Sequence, residues 1–169
     1  MSRVDPTTPD VHLVEIDWGV DRSGDEPDDD EMARWLSRAL CFVGHAPAIV
    51  SVRVMSSPEI AALNAAYRKK EKPTNVLSFP AGDEQVEGRA LLGDIALCLE
   101  IVREEAAEQG KPLEAHIAHM LVHGVLHLTG MDHEQDDEAE RMERLETEIV
   151  ADFGFQDPYG VRARDEETR

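Results

Sequence analysis

Residues Pro112 to His133 read PLEAHIAHMLVHGVLHLTGMDH. Proline is well placed at the opening of a helix, where its missing N–H would lack a partner in any case. Beyond it, Leu113, Ile117, Met120, Leu121, Val122, Val125, Leu126 and Leu128 fall on nearly every side of a 3.6-residue turn. A helix apolar all round belongs in an interior, so the rest of the chain has to wrap this one. The pattern predicts a helix from Pro112 to Leu128 or Thr129. Gly130 then supplies a residue free to take φ > 0, so the chain can turn sharply back.

Outward from that helix, Ala90–Leu99 (ALLGDIALCL) is apolar enough for a central strand. Ala48–Met55 (AIVSVRVM) sets Val50, Val52 and Val54 on one parity, the period of a strand. Val11–Trp18 and Asn75–Phe79 read as further strands, the second stopped by Pro80. A helix is predicted over Asp28–Gly44 from Met32, Trp35, Leu36, Ala39 and Val43. Another starts at Ser57, with Ser57 as cap and Pro58 at the first helical position, and runs to about Tyr67. Two more cover Glu100–Gln109, ended by Gly110, and Glu134–Phe153, on the stripe Met142, Leu145, Ile149, Phe153. The expected fold is α+β: a small mixed sheet of about four strands covered by about five helices, with a metal site at the end of the central buried helix. At 169 residues one domain over 1–169 is expected, with 1–10 and 158–169 as flexible ends.

Composition narrows the function. Hydrophobic residues make up 41% of the chain, enough for a core without disulfides. Cys41 and Cys98 form no CxxC pair, which excludes a cysteine-rich zinc module and fits a reducing cytosol. No apolar run reaches the roughly 18 residues of a membrane span, and MSRVDPTTPD lacks the apolar centre of a secretion signal. A cytoplasmic protein with no membrane contact is expected. The net charge of −19 excludes binding nucleic acid with the whole surface and leaves room only for a focused site. Acids concentrate in 15–31 and 132–148, nine in each, and read as solvated surface. Basic side chains gather at Arg68, Lys69, Lys70 and Lys72, with Arg53 expected nearby, a set suited to phosphate.

Five of the seven histidines lie between 116 and 133. His123, His127 and His133 form H-x3-H-x5-H with Gly130 in the turn. Zinc takes imidazole nitrogens at about 2.0–2.1 Å in tetrahedral directions. Two histidines one turn apart supply two directions, and the turn brings the third. Three protein ligands leave one position open, as in catalytic rather than structural sites. Because a helix rises about 6 Å in four residues, one ion cannot also hold His119, which is expected to support or pack. His116 is expected at the surface, and His12 and His45 stand apart. The spacing also fits the metzincin pattern HExxHxxGxxH, except that Gly124 stands where those proteases carry their general base.

The stretch His123 to His133, HGVLHLTGMDH, resembles the signature of the YbeY family of rRNA maturation factors. Two other segments agree. LNAAYR at Leu63–Arg68 followed by KPTNVLSFP at Lys72–Pro80 is similar to that family's LNxxYR…KPTNVLSFP block, and Leu92-Gly93-Asp94-Ile95 to its LGDI strand. The resemblance implies a bacterial, zinc-dependent, single-strand-specific endoribonuclease acting in 16S rRNA 3′-end maturation and ribosome quality control. It implies one Zn(2+) per chain on His123, His127 and His133, which are also catalytic positions, and a catalytic role for Arg68. The implied partners are single-stranded RNA, including the 16S precursor, and the ribosome or proteins associated with it, not DNA.

On that reading Arg68 clamps phosphoryl oxygens, and Lys69, Lys70 and Lys72 hold the flanking backbone. Asp94 and Asp132 are candidate partners for the ligand imidazoles, and Ser78 is structural. Activated water as nucleophile, or as base on the 2′-hydroxyl, both stay open. Two rivals stand beside it: a ribosome-assembly binding module with structural zinc, and a metzincin-like peptidase lacking its glutamate.

Overall fold

A computed structural model of the protein describes residues 12–69, 73–131 and 135–159. Lys70, Lys72, Asp132, His133, residues 1–10 and most of the expected C-terminal end therefore lie outside the described residues. The elements run β1 Leu13–Trp18, α1 Asp29–Phe42, β2 Ala48–Met55, α2 Ser57–Arg68, β3 Val76–Pro80, β4 Gln85–Val86, β5 Arg89–Cys98, α3 Leu99–Gln109, α4 Leu113–Leu128 and α5 Asp136–Asp152.

The sheet is open and mixed, in the order β1-β2-β5-β3, with β4 also paired to β5. β1, β2 and β5 are parallel, and β3 and β4 run antiparallel to β5. The fold is α+β as expected. The extra strand, β4, is only two residues long and joins β5 through Glu87 and Gly88, both at positive φ (51° and 83°). Two such residues form the tight turn whose twist suits a hairpin.

Alternation along β5 divides the molecule. Ile95 and Leu97 join Val50, Val52 and Val54 in the main core, beneath α1 and α4. Ala96 and Cys98 join Met55, Ile60 and Leu77 on the other face, beneath α2. α4 runs through the interior, with Ile117, Leu121, Val122, Val125 and Leu126 at 0–1% exposure. Gly93 makes the crossing of sheet and helix possible. It has φ 149°, and a Cβ there would lie 2.4 Å from the Phe79 carbonyl oxygen and 2.8 Å from Leu128. Only glycine allows so close an approach. The pairing of β2 with β5 shifts register at this point, between Ile49 and Val50.

The helix ends follow local chemistry. Asp28 caps α1 by accepting from the Glu31 N–H at 2.8 Å, and Asp29, Asp30 and Glu31 occupy its first turn, where the helix dipole favours acid. α2 is capped by Ser56 rather than Ser57: the Ser56 side chain accepts from the Glu59 N–H, and Pro58 is the second helical residue. α2 ends at Lys69, which takes a left-handed conformation (φ 57°, ψ 35°).

Candidate active site

Three elements bound a cleft of about 300 Å³. α2 contributes Asn64 and Arg68 to it, and α4 contributes His123 and His127. The segment Pro73–Ser78, which ends in β3, makes the remaining wall. Arg68 thus shares a cleft with the two helix histidines across a separation of more than fifty residues. Lys69 is exposed at the end of α2. Arg53 does not join this cluster. It is held by Asp17 and by Glu59 (3.0 Å) and lines a different groove, on the α2 face of the sheet.

The Nε2 atoms of His123 and His127 stand 3.1 Å apart. Two imidazole nitrogens held tetrahedrally at about 2.05 Å from one ion would be about 3.3 Å apart, so the pair fits two ligands of one metal. His133 lies outside the described residues, and among those described no group of three or more candidate ligands is assembled.

Behind the pair is a residue that the sequence patterns did not single out. Glu146 of α5 is 1% exposed. One oxygen accepts from His123 Nδ1 at 2.7 Å; the other accepts from His119 Nε2 at 2.6 Å and from the Tyr159 hydroxyl. Burial alone would raise this carboxyl, but the hydrogen bonds and charges of His119 and His123 outweigh it and hold the group at about 2. A signal was available in the sequence. Glu146 lies four residues after Met142 and three before Ile149, inside the apolar stripe, where a carboxylate needs a partner.

The other histidines find their places too. His119, one turn before His123, is bonded through Nε2 to Glu146 at 2.6 Å. His116 is not at the surface: it is 3% exposed and bonded through Nε2 to Glu105 at 2.9 Å. Burial lowers its pKa, against the opposing pull of Glu105. Glu105 also accepts from the Asn75 amide at 3.1 and 3.3 Å, which anchors the start of the cleft's strand wall. A second cavity, of about 570 Å³, opens between these groups and Tyr159, and both His123 and Asn75 line the two cavities.

Asp94 faces away from the histidines. Its neighbour Ile95 packs toward α4, while Asp94 is exposed in the groove with Asp17 and Arg53. Gly124 likewise faces the sheet. A Cβ there would lie 3.2 Å from Ile95 and 3.3 Å from Ser78 Oγ, so a side chain at 124 would press on the sheet. Part of the acidic 15–31 block is tied down, because Arg103 pairs with Asp25 (2.5 Å) and Glu26 (3.1 Å).

Residues 21–154 match the family described as Endoribonuclease YbeY. The chain belongs to the YbeY endoribonuclease family. A solved structure agrees: the solution structure of TM1509 from Thermotoga maritima is 26% identical to this chain, with a TM-score of 0.53, over 86% of this chain and 98% of that one. The YbeY match takes in α1 to α5, and with them Arg68, His123, His127 and Glu146. Membership of this family makes the protein an RNA-cleaving hydrolase by descent. Among the described residues no helix is long and apolar enough to cross a membrane.

Proposed function

We propose that this YbeY protein is a zinc-dependent, single-strand-specific endoribonuclease acting in 16S rRNA 3′-end maturation and ribosome quality control in the cytoplasm. The observation that carries the proposal is the shared cleft of Arg68 with His123 and His127. His123 and His127 would hold the ion from the helix, and His133 from the turn after it. Bound zinc supplies Lewis acidity and a water acidic enough to ionise near neutral pH.

The chain's own groups do the rest. The Arg68 guanidinium, a planar fork, binds phosphoryl oxygens in pairs and neutralises charge that grows at phosphorus in the transition state. Lys69, Lys70 and Lys72 continue the chain from Arg68 and would seat the neighbouring phosphates. A cleft of about 300 Å³ accommodates a phosphate with its sugar. The strong acidity elsewhere restricts RNA to this basic rim.

Peptide hydrolysis fits less well, because position 124 faces Ile95 and Ser78 and offers no general base. The test is cleavage of single-stranded RNA, duplex RNA and a denatured protein by zinc-loaded enzyme beside a His123→Ala control. Zinc-dependent loss of single-stranded RNA alone is the expected result. Proteolysis without RNA cleavage reverses the reading.

A further inference from the structure

Glu146 has no part in the scheme above, yet it is the most deeply buried acid beside the cleft. We infer that Glu146 is a positioning residue: its carboxylate fixes His123 as the Nδ1–H tautomer and aims the Nε2 lone pair at the point shared with His127. The inference rests on the reading of those two histidines as metal ligands.

A neutral imidazole carries one proton, on either nitrogen. Glu146 approaches His123 only at Nδ1, at 2.7 Å, and a carboxylate oxygen there accepts, so the proton sits on Nδ1. Nε2 is then the lone-pair nitrogen, and it is the one 3.1 Å from His127 Nε2. The carboxylate has little freedom to turn. Its other oxygen is held by His119 Nε2 and by the Tyr159 hydroxyl, so the two oxygens are fixed from opposite sides. Its backbone is equally constrained, because Met142 and Ile149, one turn away on either side, are buried in the main core. A ligand histidine whose far nitrogen is bonded to a carboxylate is held in one ring orientation and binds metal more tightly. The rival role, a polar rivet between α4 and α5, needs the same hydrogen bonds and the same tautomer, but predicts a loss of stability with zinc affinity unchanged in the folded variant.

The test uses full-length, metal-free protein labelled with ¹⁵N at histidine, in which two-bond ¹H–¹⁵N spectra separate the two tautomers and His123→Ala assigns the resonance. Wild type is expected to show His123 protonated at Nδ1. Glu146→Gln, whose amide can accept or donate, is expected to show a mixture. In zinc competition with a chelator, Glu146→Gln should bind about 10–100-fold more weakly. Wild-type His123 protonated at Nε2 overturns the inference, and so does a folded Glu146→Gln with unchanged tautomer or with zinc affinity within twofold of wild type. Should Glu146→Gln not fold, Glu146→Asp, which keeps the charge but draws it back by one methylene, takes its place in the zinc competition, and zinc affinity within twofold of wild type overturns the inference. Wild type that shows the Nδ1–H form, lost in Glu146→Gln, but binds no zinc would support the orientation by Glu146 and defeat the metal reading instead.

Discussion

The Ser78 hydroxyl donates to the backbone carbonyl of Gly124 at 2.9 Å, tying the strand wall of the cleft to the helical turn between His123 and His127. The same contact explains the glycine. Gly124→Ala gains about 1 kcal/mol of helix propensity. It also presses a methyl against Ile95, which is 1% exposed and 3.2 Å from the new Cβ, and such overpacking costs about 1–3 kcal/mol. The variant should lose about 1 kcal/mol net in urea unfolding. A midpoint equal to or above wild type would show that α4 can back away from the sheet.

Metal content provides a second check. His123→Ala and His127→Ala should each abolish bound zinc in elemental analysis, since two directions cannot be replaced from elsewhere on α4. His116→Ala should keep it, because His116 is committed to Glu105. Zinc should also leave as the pH falls toward 5, where protons compete for the imidazoles. Full zinc in His127→Ala would refute the ligand assignment.

Much of this was legible in the sequence. β2 was read to the residue because alternating valines bounded by Pro47 and Ser56 leave no other period. α4 was legible from its all-round apolarity, and the histidine spacing from helical geometry. What escaped was tertiary. β4 is two residues followed by a Glu-Gly turn, with no Asn-Gly signal. His116 and Glu105 meet only after α3 packs on α4. Glu146 was hidden because its partners sit 23 and 27 residues earlier, on another helix.

Acid should loosen the metal-free protein through His12. Its Nδ1 accepts from the Ala48 N–H at 3.1 Å, which requires that nitrogen to be unprotonated. Burial lowers its pKa, aided by the nearby charges of His45 and Arg89, and burial lowers His116 as well. The unfolded chain therefore binds protons first. Stability from both groups is complete above the ordinary histidine value of about 6.5 and declines as the pH falls below it. Chelator-treated wild type should melt lower at pH 5.5 than at 7.5, and His12→Gln should show a smaller drop. Equal drops would remove His12 from the account.

Lys69 offers a gain. Its left-handed backbone costs a side-chain-bearing residue about 1–2 kcal/mol, and glycine returns about 0.5–1 of that as chain entropy. Lys69→Gly should raise stability by about 0.5–1 kcal/mol in chemical unfolding. If Lys69 also seats a phosphate, RNA binding should weaken slightly and lose about one unit of salt dependence. Lower stability would mean that the side chain anchors the cap.

Arg68 ends α2 immediately before that turn, and two readings of it make opposite predictions. As a cation at a helix C-terminus it would be worth about 0.3–1 kcal/mol of stability and nothing in catalysis. As the phosphate clamp opposite His123 and His127 it would act only where charge develops. In that case Arg68→Ala should retain zinc and melt within the small helix-end effect, while kcat falls about 10²–10³-fold, the usual loss for one preorganised donor. Arg68→Lys should recover only part, because a point charge cannot replace a planar fork. Zinc content, melting temperature and single-turnover cleavage measured on one preparation separate the two readings, since only the clamp couples intact metal and fold to a slow chemical step. Wild-type cleavage in folded, zinc-loaded Arg68→Ala would assign Arg68 to the helix end alone.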